Sequence, residues 1–362
     1  MEYPNKLVLD KRLRSVPREL ELLATEIATL SGQWAGGASL SPQILNRLKK
    51  SSLITSAGSS TRIEGSVLSD EEIRQMIGGL KWEAMKDRDI QEVRGYYELL
   101  SSIYENFQHI NITENNIKEF HGKLLKYSEK DSRHKCKYKK GENLVNLIDE
   151  KGNAIAVLFE TSPAYLTSGH MEELVTWYHE AINDPKHHKI IVIAAFIVHF
   201  LKIHPFTDGN GRLSRILTDL LLLKAGYAYI PYVSLDKIVE ERKADYYIAL
   251  RGSQKTFGTY HESIEKWVQF FLKITFAQAQ SALSLLSTAR IEQNLSQNQL
   301  VVWHYFKNHT DEDISIGTLE QVTQVNRETI RQALEKLMTL KLIERFGGGR
   351  STVYRINRDK IS

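Results

Sequence analysis

A single cysteine, Cys136, is all that the 362 residues contain, so no disulfide can close within the chain and a reducing compartment is expected. The opening MEYPNKLVLDKRLR has no apolar run of the signal-peptide kind. The most apolar stretch, from Ile190, is too short to span a bilayer and carries His199 and Lys202. The expected setting is therefore cytoplasmic, with no membrane partner. Internal repeats and low-complexity tracts are missing as well. Charge is only mildly unbalanced, 48 basic against 44 acidic side chains for a net +4, which permits nucleic-acid contact without requiring it. What remains is ordinary globular material, 42% hydrophobic and 25% charged, long enough for about two or three domains.

The densest chemistry lies in HPFTDGNGRLSR, His204 to Arg215. The apolar run IIVIAAFIVHFLKI before it reads as a buried helix that Pro205 must end, because the residue before a proline leaves the α region. LSRILTDLLLLKAG after it reads as a second apolar helix, with Gly226 as its stop. The twelve residues are thus the loop between two core helices plus the first turn of the second. Gly209 and Gly211 let backbone amides turn toward a ligand, and a helix N-terminus favours an anion. Arg212 and Arg215, three apart, share the face beside that anion hole. Asp208 fits there once a divalent cation such as Mg²⁺ lies between it and substrate phosphates. His204 is the group able to take a proton near neutral pH. Taken singly, a histidine at a helix end, an arginine pair or a Gly-Asn-Gly run is common in caps, solvent faces and turns. Their order and spacing between two apolar helices set them apart, and Phe206 reads as an apolar anchor for the loop.

At these residues the sequence resembles the Fic family, whose signature is HxFx(D/E)GN(G/K)RxxR, matched at His204, Phe206, Asp208, Gly209, Asn210, Gly211, Arg212 and Arg215. The resemblance implies transfer of AMP from ATP to a Tyr, Thr or Ser hydroxyl of a target protein, with self-modification included. By that resemblance His204 deprotonates the attacking hydroxyl and Asp208 holds Mg²⁺ on the α- and β-phosphates. Asn210 and the amides around Gly209 and Gly211 cradle those phosphates, Arg212 braces the β-phosphate and Arg215 the γ-phosphate. Family members with Lys at the position of Gly211 bind the nucleotide reversed and act as kinases, a reading Gly211 argues against.

Residues 1–105 read as an N-terminal helical region, with Ser69 followed by three acids as a helix-start signal. Within it, Ser60 and Glu64 stand four apart in SSTRIEG. The family has an inhibitory-helix motif, (S/T)xxxE(G/N), that Ser60 to Gly65 fits, and the inhibitory helix is placed at about 57–68. By resemblance Glu64 pairs with Arg215, taking the arginine that the γ-phosphate needs. The expected catalytic core spans 106–280. Inside it, NLVNLI and AIAVLF flank Glu150 to Asn153 as a hairpin, and in Fic proteins such a flap, here about 142–166, holds the target by strand pairing. Leu144, Val145, Asn146 and Leu147 are its expected target-pairing residues. Many relatives have a Tyr-Arg pair ahead of the flap where this chain has Tyr138 and Lys139. KADYYIALRGSQ resembles the helix over the nucleotide base, with Tyr247 rather than Tyr246 facing adenine.

STARIEQNLSQNQ is polar enough for a linker at 281–296. Residues 297–362 then read as three helices and a glycine-tipped hairpin, which resembles a winged helix-turn-helix. Arg327, Arg331 and Arg350 are its candidate nucleic-acid contacts, although Glu328, Glu335 and Glu344 are interspersed. The expected fold class is mainly α: a Fic-type helical core with a small β-hairpin flap and a C-terminal winged helix that binds targets, a second copy or DNA. Two other readings stay open, a DNA-binding regulator with the core as nucleotide sensor, and removal of AMP by the same site.

Overall fold

The computed structural model describes residues 6–14, 16–37, 40–77, 88–128, 130–131, 133–148 and 154–357, and their side chains other than those of 6–7, 144–148, 154–160, 290–291, 293 and 350. Its helices are, in order, α1 (Lys6–Arg14), α2 (Arg18–Gly37), α3 (Pro42–Ile63), α4 (Asp70–Ile77), α5 (Arg88–Asn106) and α6 (Glu114–Leu124). Strands β1 (Leu144–Ile148) and β2 (Ala154–Glu160) come next, then α7 (Thr167–Ala181), α8 (Lys189–Ile203) and α9 (Asn210–Lys224). The chain continues with α10 (Leu235–Glu241), α11 (Lys243–Gln254) and α12 (Glu265–Gln293). It ends with α13 (Gln297–Asn308), α14 (Ile316–Thr323), α15 (Arg327–Thr339), β3 (Ile343–Phe346) and β4 (Val353–Ile356). The chain divides into two compact units: Met1–Gly36 with Asn46–Gln280, and Gly37–Leu45 with Ser281–Ser362.

The first unit is built around α8, which is apolar on every face and buries all its residues except Lys189 and Lys202. Helices α7 and α9 pack directly against it, and α5 and α6 pack on α9. Gly95 makes the α5–α6 crossing close: a Cβ there would lie 2.0 Å from the carbonyl oxygen of Leu124. The starts follow local chemistry. Thr113 accepts the Asn116 N–H to cap α6, and Ser234 accepts the Lys237 N–H to cap α10. Ser69 and Glu72 form a reciprocal box at α4, the backbone N–H of Ser69 donating to Glu72 Oε2 at 2.8 Å and that of Glu72 to Ser69 Oγ at 3.3 Å. Gly226, with φ of 100°, ends α9 as expected, its N–H donating to Leu223 O and that of Tyr227 to Leu222 O.

Strands β1 and β2 pair antiparallel, with Leu144 opposite Glu160 and Ile148 opposite Ala154. The register shifts between Val145 and Asn146 and again between Leu147 and Ile148, bulges that the alternation of the sequence did not announce. The expected turn at Glu150 to Asn153 lies outside the described residues.

In the second unit α13, α14 and α15 enclose a core of Trp303, Phe306, Leu319, Ile330, Leu334 and Leu337. Asn326 caps α15 by accepting the Thr329 N–H. Hairpin β3–β4 closes the unit, and Ile314 and Tyr354 form an isolated bridge that ties it to the segment before α14.

One expectation on domain organisation is corrected. Residues 281–293 are not a polar linker but the end of the helix α12, because their polar side chains are interrupted by Ala282, Leu286 and Ala289, which are buried at helical spacing. Most of residues 1–105 and all of 106–280 belong to one unit, and 37–45 belong to the other.

Two glycine substitutions test the packing. Gly95→Ala should destabilise the protein by about 1–3 kcal/mol because backbone must move at the crossing. Gly32→Ala, with nothing within 4 Å of the added methyl, should instead stabilise α2 by about 0.5–1 kcal/mol. Thermal unfolding followed by circular dichroism reads both signs.

Candidate active site

The loop between α8 and α9 is held by two left-handed residues. His204 has φ 51° and ψ 59°, and Gly209 has φ 79°. Pro205 does expel His204 from the helical region, but into the left-handed well rather than the extended one. A non-glycine residue there is uncommon and is kept only where its surroundings over-determine it. Those surroundings are visible. Phe206 is fully buried and stacks on His121, ring centroids 3.9 Å apart. His121 Nε2–H donates to the carbonyl of Asp208 at 3.1 Å.

Asn210, expected among the groups that cradle the phosphates, bonds the loop through its side chain. Its Oδ1 accepts the Phe206 N–H at 2.9 Å and its Nδ2–H donates to the Phe206 carbonyl at 2.7 Å. The side chain is bonded to the loop and 2% exposed, and its main-chain N–H lies in the first turn of α9.

His204 donates from Nδ1–H to the Leu201 carbonyl at 3.2 Å, because a carbonyl oxygen can only accept; in the neutral ring the lone pair is then on Nε2. Burial pulls its pKa down to about 4, against the Leu201 carbonyl, which favours the charged form. Asp208 accepts the N–H of Gly209 at 2.7 Å and lies 3.3 Å from Arg212 Nη2. Burial would raise its pKa, but Arg212 and the Gly209 N–H hold it below the ordinary carboxylate value. Its side chain stays 41% exposed. An ionised, open carboxylate of this kind fits a Mg²⁺ held mainly by phosphate oxygens, and no cluster of three or more His, Cys, Asp or Glu side chains able to form a protein cage occurs among the described residues.

The two arginines of α9 are interior groups. Arg212, 2% exposed, has Glu92 Oε2 2.9 Å from Nη1, while its Nε has no hydrogen-bond partner among the described residues. Arg215 donates from Nε to Ser60 Oγ at 2.7 Å and from Nη2 to the Ser60 carbonyl at 2.9 Å and to Glu64 Oε1 at 2.8 Å. Asp236 Oδ1 lies 3.4 Å from Nε on α10, and Nη1 has no partner among the described residues. Burial alone would lower the Arg215 pKa, but Glu64 above all, with Asp236, raises it.

Glu64 also lies against the first turn of α9, where an anion site was expected. A Cβ at Gly211 would lie 2.2 Å from Glu64 Oε1, so the carboxylate rests directly on the first turn of α9. Local chain chemistry brings it there. Glu64 follows the last residue of α3, and Gly65, with φ of 105°, turns the chain away in a conformation that glycine takes without strain. Two residues earlier Arg62 fixes the helix end, donating to Glu240 at 2.6 and 3.0 Å and to the Leu68 carbonyl at 2.8 Å.

Tyr246 is buried and Tyr247 partly exposed, so of the pair Tyr247 is the one open to a ligand. Burial raises its phenol pKa, and Glu64 adds to the shift. Tyr138 donates to Glu114 at 2.7 Å. Of β1 only the backbone register is described, so Leu144, Val145, Asn146 and Leu147 are placed on the strand without their side chains. In the other unit Arg327 Nη1 lies 3.5 Å from Glu320 and Arg331 Nη1 3.5 Å from Glu328; the side chain of Arg350 lies outside the described residues.

Sequence reasoning missed Glu92, Asp236 and His121. Each is far along the chain from the motif and carries no local signal, since its partner is chosen by packing. The loop brace yields a direct test: Asn210→Ala removes two buried hydrogen bonds and should cost about 2–3 kcal/mol in urea unfolding.

Comparison with known proteins bears on the same region. The Fic/DOC family model matches residues 111–222. A Fido domain-containing protein of Dictyostelium discoideum is 44% identical over 89 residues, 20% of this chain and 62% of that protein. Protein adenylyltransferase fic-1 of Caenorhabditis elegans is 36% identical over 92 residues, 25% of this chain and 16% of that protein. The chain thus spans less than two thirds of the length of either relative. Among solved structures, a Fic family protein from Desulfovibrio desulfuricans superposes with a TM-score of 0.62 at 21% identity, over 95% of this chain and 97% of that one. Fic-1 from C. elegans gives 0.58 at 20% identity, over 75% and 73%. Likenesses at such identities speak for the fold, and the matched family model identifies residues 111–222 as a Fic/DOC family domain.

Proposed function

We propose that the protein is an autoinhibited protein adenylyltransferase, moving AMP from ATP to a Tyr, Thr or Ser hydroxyl of a protein and releasing pyrophosphate. The observation that carries this reading is the Glu64 carboxylate, bound to Arg215 at 2.8 Å and lying against Gly211. A carboxylate fits there because the site is built for anions, and it stands where a terminal phosphate would have to bind. Relatives named protein adenylyltransferase in C. elegans and Drosophila virilis support the chemistry.

In this reading the target hydroxyl loses its proton to His204 Nε2 as its oxygen attacks the α-phosphorus, and the bond to the bridging oxygen breaks with the electron pair leaving on pyrophosphate. His204 needs to be neutral, and its low pKa keeps it so at physiological pH. The main-chain N–H groups at Asn210 and Gly211 face the phosphates, while that of Gly209 holds Asp208; Arg212 is braced by Glu92 for the β-phosphate, and Arg215 meets the γ-phosphate once Glu64 leaves. Asp208 would hold Mg²⁺, which when bound neutralises phosphate charge. Tyr247 lies against the base. Among the described residues no helix is long and apolar enough to cross a membrane, and a cytoplasmic site of action is part of the proposal.

The second unit serves target docking or self-association better than DNA reading in this proposal. Arg327 and Arg331 each have a glutamate 3.5 Å away, which leaves less free positive charge for phosphates.

Wild type and two variants test the whole reading. With α-labelled ATP, wild type should label itself and lysate proteins weakly, Glu64→Gly should label strongly, and Glu64→Gly with His204→Ala should not label. Calorimetric titration should show ATP binding at least about tenfold tighter to Glu64→Gly than to wild type, since an ionic competitor worth about 1.4 kcal/mol or more is gone. Absence of label from Glu64→Gly sinks the transferase reading. The rate of Glu64→Gly should be flat on its base limb over about pH 6–8 and fall as pH drops towards 4, where the His204 ring takes up its proton.

A further inference from the structure

The positive charge of the chain is concentrated. Residues 133–140 read RHKCKYKK, with five lysines and arginines and no acid, more than the entire net charge of +4. This is not a solvated helix face. The segment is turn-rich and tied to the motif loop, the Lys139 N–H donating to the Pro205 carbonyl at 2.8 Å and Asn143 Nδ2–H to the Phe206 carbonyl at 3.0 Å.

A pocket of about 310 Å³ opens here, walled by Arg133, Lys137, Lys139, Lys140, Asn143 and Thr207. Its one acidic wall residue, Glu142, already accepts the Ala164 N–H at 3.0 Å. Arg133, Lys137 and Lys140 are exposed and have no ion-pair partner among the described residues. Lys139 is 4% exposed, and its Nζ donates only to neutral oxygens, Asn143 Oδ1 at 2.7 Å, Thr161 Oγ1 at 2.8 Å and the Ile203 carbonyl at 3.2 Å. Burial pulls its pKa down to about 8. A buried ammonium beside three surface cations without ion-pair partners among the described residues, set against the single carboxylate of Glu142, makes a concave site of net positive charge, which focuses its field on an incoming anion.

Position decides which anion. Thr207 stands between Phe206 and Asp208 in the motif, and Asn143 immediately precedes β1, whose outer edge is unpaired among the described residues. A segment that adds to β1 while offering a hydroxyl to His204 passes this pocket within a few residues. We propose that the pocket takes a carboxylate side chain of the target segment, so that the protein selects hydroxyl residues with Asp or Glu nearby. That the segment is a target rests on the transferase reading above; the recognition of an acidic peptide does not.

The test is a binding measurement on the full chain carrying Glu64→Gly. The probe is a fluorescein-labelled peptide with a central Tyr-Thr flanked on both sides by glutamates, compared with versions flanked by glutamines or lysines. By fluorescence anisotropy the glutamate peptide should bind at least about tenfold tighter than either, and added salt should weaken it. Lys137→Glu with Lys140→Glu should remove that preference and leave ATP affinity within about twofold. Equal binding of the glutamine peptide overturns the proposal. So does an equal loss when the charges at Lys336 and Lys341 are reversed instead, which would mean diffuse attraction, or a loss of ATP affinity in the pocket variant, which would assign the pocket to nucleotide. Transfer to the glutamate peptide should show a raised KM with little change in kcat in the pocket variant. Peptide binding without any transfer would leave the pocket standing and remove the transferase reading.

Discussion

A guanidinium cannot be buried without negative partners, and Arg215, inside α9 and 7% exposed, is the group on which the rest of the site depends. Its partners come from three directions: Asp236 on α10, Ser60 on α3, and Glu64 just beyond the end of α3. Asp236 is itself fully enclosed, its carboxylate accepting from Tyr96 OH at 3.0 Å, and burial raises its pKa although Arg215 opposes the rise. It is the fixed counter-charge. Glu64, with 34% of its side chain exposed, is the partner that solvent can reach. In the proposed function, exchange of Glu64 for a phosphate would replace one anion by another without leaving the arginine bare, so a single residue would serve both states.

Around that pair the loop is stiff. His204 and Gly209 bracket it in left-handed conformations, Asn210 ties its first turn to Phe206, and the stacked ring of His121 closes the underside. In the proposed reaction a base that must accept a proton in one direction would benefit from such a frame, because the Leu201 carbonyl fixes which ring nitrogen of His204 keeps its lone pair. The cations of the neighbouring pocket, by contrast, sit on a turn-rich segment fastened to the loop by backbone and amide bonds. Chemistry and peptide selection would then share a support without sharing side chains.

The second unit is a small helical module with its own core and a short hairpin. Its third helix has the order and cap expected of a groove-reading helix, yet the charge on that helix is compensated by glutamates close to both arginines. A surface of this kind suits a partner that presents mixed charges of its own.

Helix positions, the cap at Asn326, the stop at Gly226 and the loop that carries the motif were legible in the sequence, because each depends on residues close along the chain. So was the pairing of Glu64 with Arg215 as an expectation, though only through resemblance, since the two are 151 positions apart. Less of the frame around them could be read. Glu92 and Asp236 are ordinary acids until packing sets them beside Arg212 and Arg215, and Lys139 looks like any lysine in a basic run until its ammonium is enclosed. Polar composition suggested a linker at 281–296 where helical burial of three apolar residues extends α12. The sequence by itself determined which groups are available to the site and where the local turns fall; tertiary structure alone decided which acid neutralises which arginine and which lysine is enclosed with only neutral hydrogen-bond partners, because desolvation and pairing depend on neighbours that only the folded chain brings together.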